Sequence, residues 1–302
     1  MARALSARRP LAWGVGCAVV SLLVACGEEP MPVPSATYET EHFLIIDFAQ
    51  LDDPAIQVVQ ARLEMEFERV SQALPTFTPP AQLLARIVPG NGTPFVTPAE
   101  SSLTLWGDSL TLDYLPHQLT HLFTRYVRRA FLEEGLAVYV TELLLPDLPT
   151  VHPYRGQTPH AWVSLFEDHG STIPLLTAFG ATNLGYNVNG STFDASSWQI
   201  FVEGGSFTRW VVETHGWDAW WELFEVDDLA AALGTDPAEL QSLWLAEARG
   251  RYPTPLACEE ALGTVGVREE FWCARARGES VATRVTRSSP LQDAAPRVRM
   301  RE

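Results

Sequence analysis

The chain has 302 residues, 37 acidic and 21 basic, for a formal net charge of −16; it contains no lysine, so every base is an arginine. Such a balance argues against nucleic acid as a partner and for a soluble, monomer-tolerant domain. With both ends set aside, about 250 residues remain to fold, enough for one sizeable domain or two small lobes sharing a cleft, and no internal repeat is evident.

Residues 1–25 read as a targeting segment. Arg3, Arg8 and Arg9 form a positive n-region, and an apolar stretch runs from about Leu11 to Val24. It ends in Leu23-Val24-Ala25-Cys26, which resembles the bacterial lipobox, where cleavage leaves the cysteine as a lipidated N-terminus. An ordinary secretory signal with a chance cysteine is the plainer alternative. On the lipobox reading, Cys26 anchors an otherwise soluble domain to a membrane of the bacterial cell envelope. No later run approaches the ~20 apolar residues of a membrane helix. Without the three signal arginines, 18 basic residues face 37 acidic ones, a net charge of −19.

Residues 26–37 form a Pro-containing spacer. Tyr38 to Phe48 is strand-like, and Asp52-Asp53-Pro54 opens a helix to about Leu74 with Ile56, Val59, Leu63, Phe67, Val70 and Leu74 at helical spacing. Gln82 to Val88 reads as a strand, and Ser102 to Leu112 as an edge hairpin around Gly107-Asp108. Helices follow at about Tyr114–Arg128 and Phe131–Leu144. Residues 147–197, rich in Pro, Gly, Asn, Ser and Thr, carry one short helix near Ala161–Phe166. Trp198–His215 should be helical up to Gly216, with shorter helices at Ala219–Phe224 and Asp227–Leu233. Asp236-Pro237-Ala238-Glu239 then caps a helix reaching Arg249-Gly250. This order is α+β, with a helical second half. Trp210, Trp217, Trp220, Trp221 and Trp244 are expected to pack between those helices rather than bind carbohydrate.

Beyond the domain at 38–256, Cys258 and Cys273 are the two cysteines left in the folded part. In an oxidising envelope they are expected to pair within segment 257–277, closing a loop that contributes on the order of 3 kcal/mol; two buried thiols are the alternative. Seven arginines fall between Arg275 and Arg301, so residues 278–302 read as a disordered Arg-rich tail.

The segment with chemistry is His117-Gln118-Leu119-Thr120-His121, followed by Phe131-Leu132-Glu133-Glu134-Gly135-Leu136-Ala137-Val138-Tyr139. Histidines at i and i+4 share one helix face and can both reach a single metal. Glu134, 13 residues after His121, can return to that face through a helical hairpin as third ligand, leaving the fourth position to water. No nucleophile elbow or phosphate-binding glycine loop competes. His42, His152, His160 and His169 have no spaced partners and read as surface or core residues.

These segments resemble the gluzincins, specifically the peptidase MA-like domains of bacterial envelope proteins, over roughly Tyr38 to Tyr252. Glu39-Thr40-Glu41-His42-Phe43 is similar to the family's opening strand, and Gly204-Gly205-Ser206-Phe207-Thr208-Arg209-Trp210 with His215-Gly216 to the helix that closes its site. The resemblance implies a thermolysin-like lobe, a small sheet with the HxxxH helix, followed by a helical lobe. It also implies Zn2+ on His117, His121 and Glu134. Two positions depart from the family. Gln118 stands where the family has its general base, and Phe201 falls about where aminopeptidase-type members carry an oxyanion-stabilising tyrosine. The connection from His121 to Glu134 is also shorter, which leaves Glu133 as a fallback ligand.

A glutamine amide hydrogen-bonds water but cannot take its proton, and losing a general base removes roughly 10²–10⁴-fold of rate. The expected protein is therefore a zinc-binding pseudopeptidase, holding peptides or envelope proteins in the old cleft or serving as a scaffold. Its rival is an active peptidase in which Glu133 or Asp113 acts as base.

Overall fold

The computed structural model describes residues 34–92, 94–110, 112–124, 129–145, 158–180, 195–226 and 228–253. The signal segment, Cys26, most of the spacer, Cys258, Cys273 and the Arg-rich tail lie outside the described residues.

The first half builds a five-stranded mixed sheet. Strands β1 (Ala36–Glu39) and β2 (Phe43–Asp47) pair antiparallel, with Tyr38 opposite Ile45. Sequence patterning gave one strand over Tyr38–Phe48; the chain instead turns at Thr40–His42. Glu64 explains the turn: its carboxylate accepts from the His42 backbone N at 2.9 Å and faces His42 Nδ1 at 2.7 Å. The His42 ring stacks on Phe67, 3.9 Å between centroids.

After β2, Asp47 is buried and accepts from the backbone N–H groups of Ala49, Gln50 and Leu51, which ties down the turn into the first helix. Helix α1 (Asp53–Ala73) is capped by Asp52, whose side chain accepts from Ala55 N. It buries Ile56, Val59, Leu63, Phe67 and Val70, the stripe its spacing required. Strand β3 (Leu83–Val88) pairs parallel with β2.

Beside β3, parallel to it, lies β5 (Ser102–Trp106), and β4 (Phe95–Thr97) pairs antiparallel with β5 at the edge. The strand order is β1-β2-β3-β5-β4. The expected hairpin around Gly107-Asp108 is not formed. Gly107–Ser109 is a 3-10 turn that leads away from the sheet, and the partner of β5 comes from upstream, in β4. Since β5 sits between β3 and β4, both its edges are paired, and Ser102–Leu105 are all buried.

The chain then becomes helical: α2 (Leu115–Thr124), α3 (Ala130–Leu144), α4 (Pro159–Asp168), α5 (Leu175–Gly180), α6 (Ala195–Val226), α7 (Leu229–Leu233) and α8 (Pro237–Arg251). Gly216, at φ 85°, breaks α6 into two segments where a helix end was expected. Helix α5 was not expected. Trp220 and Trp244 are fully buried and Trp210 nearly so, while Trp217 and Trp221 pack partly buried against the same core. Trp221 meets Phe77, from the connection after α1, edge to face at 4.4 Å. The aromatic set joins the helices, as composition implied. The fold is α+β, a small mixed sheet with mostly helical remaining content. No helix among the described residues is long and apolar enough to cross a membrane.

Candidate metal centre

All ten residues of α2 are buried. Leu115, Leu119, Leu122 and Phe123 account for its stability, each worth about 1.5–3 kcal/mol in such a position. Thr120 and Thr124 discharge their hydroxyls onto Pro116 O (2.7 Å) and His121 O (3.3 Å) in their own helix. His117, Gln118 and His121 remain, polar groups in an interior that penalises them unless they are paired.

Helix α3 answers with Glu134. His117 Nε2 lies 3.2 Å from His121 Nε2, and Glu134 Oε2 lies 3.3 Å from the first and 3.4 Å from the second. The three ligand atoms therefore form a nearly equilateral triangle. Donors held 2.0–2.1 Å from a tetrahedral ion stand about 3.3 Å apart, so the triangle has the edge length of one face of such a site. Two imidazole nitrogens and one carboxylate oxygen, all buried, can hold a metal ion. Shortness of the His121–Glu134 connection has not kept Glu134 from the site.

A close helix crossing delivers Glu134 there. Gly135 on α3 and Gly204 on α6 touch backbone to backbone: a Cβ built on Gly135 would lie 2.5 Å from the carbonyl carbon and oxygen of Gly204. A Cβ on Gly204 would run into Phe131 O, and one on Gly205 into Val138. Only glycines permit this approach, one residue past the ligand. The two segments that carried the family resemblance on α3 and α6 are thus two sides of one contact. On its other flank, α3 is tied to α1 by Arg69, which pairs with the fully buried Glu66 at 3.0 Å and donates to Leu144 O.

Electrostatically the triangle is a receptor for positive charge. Burial acts first, against ionisation, yet the charge of His121 and hydrogen bonds to both histidines hold the Glu134 carboxyl well below the usual carboxylate range. Burial opposes the imidazolium of His121 too, but Glu134 and then Glu133 overcome it and push its pKa up to about 10. For His117, burial prevails and the pKa falls. A proton on His121 and a cation on its Nε2 compete for one place.

Glu133 is not in the triangle. Its Oε1 faces Nδ1 of His121 at 3.4 Å, on the far side of the ring from the other ligand atoms, so the fallback ligand of the sequence sits one shell out. Asp113 is exposed and lies 3.9 Å from Arg62. Gln118 is buried on α2, 60° around the helix from His121 by the roughly 100° rotation per residue. Phe201 is buried on α6 and brings no polar atom to any site. Tyr114, which no motif in the sequence marks, has its ring 5.3 Å from that of His117. Burial, then the charge of Glu134, pushes its phenol pKa up, so it remains a proton donor. Its spacing, three residues before His117, was the available signal.

Of the other histidines, His42 and His160 are structural, pinned by Glu64 and Ser206, and His169 terminates α4; His152 lies outside the described residues. Set against known protein families and against curated proteins, the chain matches none.

Proposed function

We propose that this chain is a lipid-anchored, gluzincin-like zinc-binding protein of the bacterial cell envelope, a pseudopeptidase that uses its site to hold peptides or envelope proteins, or as a scaffold. The observation that carries the reading is the His117–His121–Glu134 triangle, with Gln118 next to His117 in the chain. Two histidines and one carboxylate suit zinc best among the common cations, since calcium and magnesium prefer all-oxygen sets. Zinc in such a set supplies Lewis acidity and an acidified water. Glu134 binds and neutralises; the two imidazoles bind through Nε2. Gln118 offers an amide, able to donate or accept a hydrogen bond and unable to take a proton. Tyr114 supplies a phenol that stays protonated. Nothing in this set replaces the base, and Phe201 adds nothing to stabilise an oxyanion. Anchoring rests on Arg3, Arg8, Arg9 and the Leu23–Cys26 lipobox, and the thermolysin-like lobe on the order of sheet, HxxxH helix and Glu134 helix.

The rival is an active peptidase with Glu133 or Asp113 as base. What favours it is the half-buried Glu133 within 3.4 Å of a ligand. Against it, that carboxylate points at the nitrogen away from the metal position, and Asp113 faces Arg62. Zinc content and peptide cleavage by wild type and Gln118→Glu decide the matter. Absence of stoichiometric zinc overturns the metal reading. Cleavage by wild type that chelation abolishes overturns the pseudopeptidase reading. Cleavage by Gln118→Glu alone is the expected result.

A further inference from the structure

We propose that Glu133 is a positioning residue for the metal, acting through His121; this rests on the metal reading above. A histidine that binds through Nε2 must present the Nε2 lone pair, which requires its proton on Nδ1. In His121, Nδ1 is buried and has no hydrogen-bond partner. Buried polar atoms left so are rare and call for a cause. The group that faces this one is Glu133 Oε1, at 3.4 Å. That is ion-pair range, and a shift of about 0.5 Å at the partly buried end of Glu133 brings the carboxylate to hydrogen-bond length.

The arrangement follows from two adjacent residues on one helix. Glu134 and Glu133 differ by a rotation of about 100° on α3, and α2 places the His121 ring between them, Nε2 toward Glu134 and Nδ1 toward Glu133. One carboxylate therefore binds the ion and its neighbour fixes the tautomer and orientation of the imidazole beside it. Among the described residues no second carboxylate stands behind His117: its Nε2 pairs with Glu134, and its ring leans on Tyr114. A carboxylate behind a ligating histidine raises its basicity, and its removal lowers metal affinity by about 10–100-fold.

The test titrates wild type, Glu133→Ala, Glu133→Gln and Glu134→Gln with zinc, and with cobalt as an absorbing probe of coordination geometry, alongside thermal melting after chelation. Glu133→Ala should weaken zinc about 10–100-fold and alter the cobalt absorption bands, with a cooperative melt after chelation showing that the variant is folded. Glu133→Gln should fall between, since its amide oxygen still accepts from Nδ1–H. Glu134→Gln, losing a ligand, should weaken binding more than either. Affinity and spectrum of Glu133→Ala equal to wild type overturn the role of Glu133 alone. A loss in Glu133→Ala as large as in Glu134→Gln makes Glu133 a ligand and also overturns it. Failure of wild type to bind either metal removes the underlying metal reading.

Discussion

The corner formed by α2 and α3 and the corner formed by α4, α6 and α8 both bury a histidine, and they treat it in opposite ways. His121 meets two carboxylates, and its pKa is driven up to about 10. His160 is fully buried with Nδ1 2.8 Å from Ser206 Oγ, which in turn accepts from Trp244 Nε1 at 2.9 Å. Ser206 Oγ is thus the shared partner of the Trp244 indole N–H and of His160 Nδ1, and no carboxylate faces the ring among the described residues. Burial first, then the charges of Arg209 and Arg251, lowers its pKa to about 3. A buried histidine is thus a structural hydrogen-bonding group or a cation receptor according to whether its neighbours are hydroxyl and indole or carboxylates. Depth of burial does not separate the two.

The contrast can be broken from either side. The largest effect is expected at the corner that holds the candidate metal centre. His117→Ala should weaken zinc roughly a thousandfold, about 4 kcal/mol, as read by competition with a chromophoric chelator; an affinity within tenfold of wild type would remove His117 from the site. His160→Gln should leave zinc affinity where it was.

The second effect is pH dependence. The folded pKa of His160 lies below the unfolded value near 6.5, so the unfolded chain takes up the proton first. Stability from this group is complete above pH 6.5 and drains away as pH falls toward 3, by about 3 kcal/mol at pH 4. Urea unfolding of the chelated protein between pH 7 and 4 measures it, and His160→Gln should flatten the slope. A slope unchanged by that substitution would mean that His160 is not the group responsible.

Third, Gly204→Ala joins the two corners, because α6 carries both Ser206 and the glycine that receives α3. Overpacking there should cost about 1–3 kcal/mol in urea unfolding and weaken zinc as well, through displacement of Glu134. Lost stability with unaltered zinc affinity would separate the crossing from the site. The smallest effect is Ser206→Ala, which leaves Trp244 Nε1 and His160 Nδ1 without their common partner, at about 1–2 kcal/mol and with no change in zinc affinity.

Local signals in the sequence were dependable where the residues that decide a structure are neighbours in the chain. Asp52 and Asp236 cap α1 and α8 as their spacing required, Gly216 breaks α6, and Gly234 ends α7 at φ 66°. His117, His121 and Glu134 were legible because two helical periods and one hairpin bring them together. Strand pairing was not. Residues 38–48 read as one strand because the turn at Thr40–His42 depends on Glu64, more than 20 residues away, and β4 was missed because three residues carry no period. The Ser102–Leu112 segment looked like a hairpin from its Gly-Asp pair, whereas the true partner of β5 precedes it. The place of Glu133 behind His121, and that of Ser206 under His160, depended on side-chain directions that spacing does not specify.

The Gly135–Gly204 contact has a consequence for how such a chain changes over time. Because the separation of α3 and α6 is set by the radii of backbone atoms, it acts as a spacer of fixed thickness, indifferent to which hydrophobic residues fill the core around it. The position of Glu134 is then decoupled from the chemistry at position 118. A substitution at position 118 can then leave the donor triangle intact, together with whatever capacity it has to hold an ion.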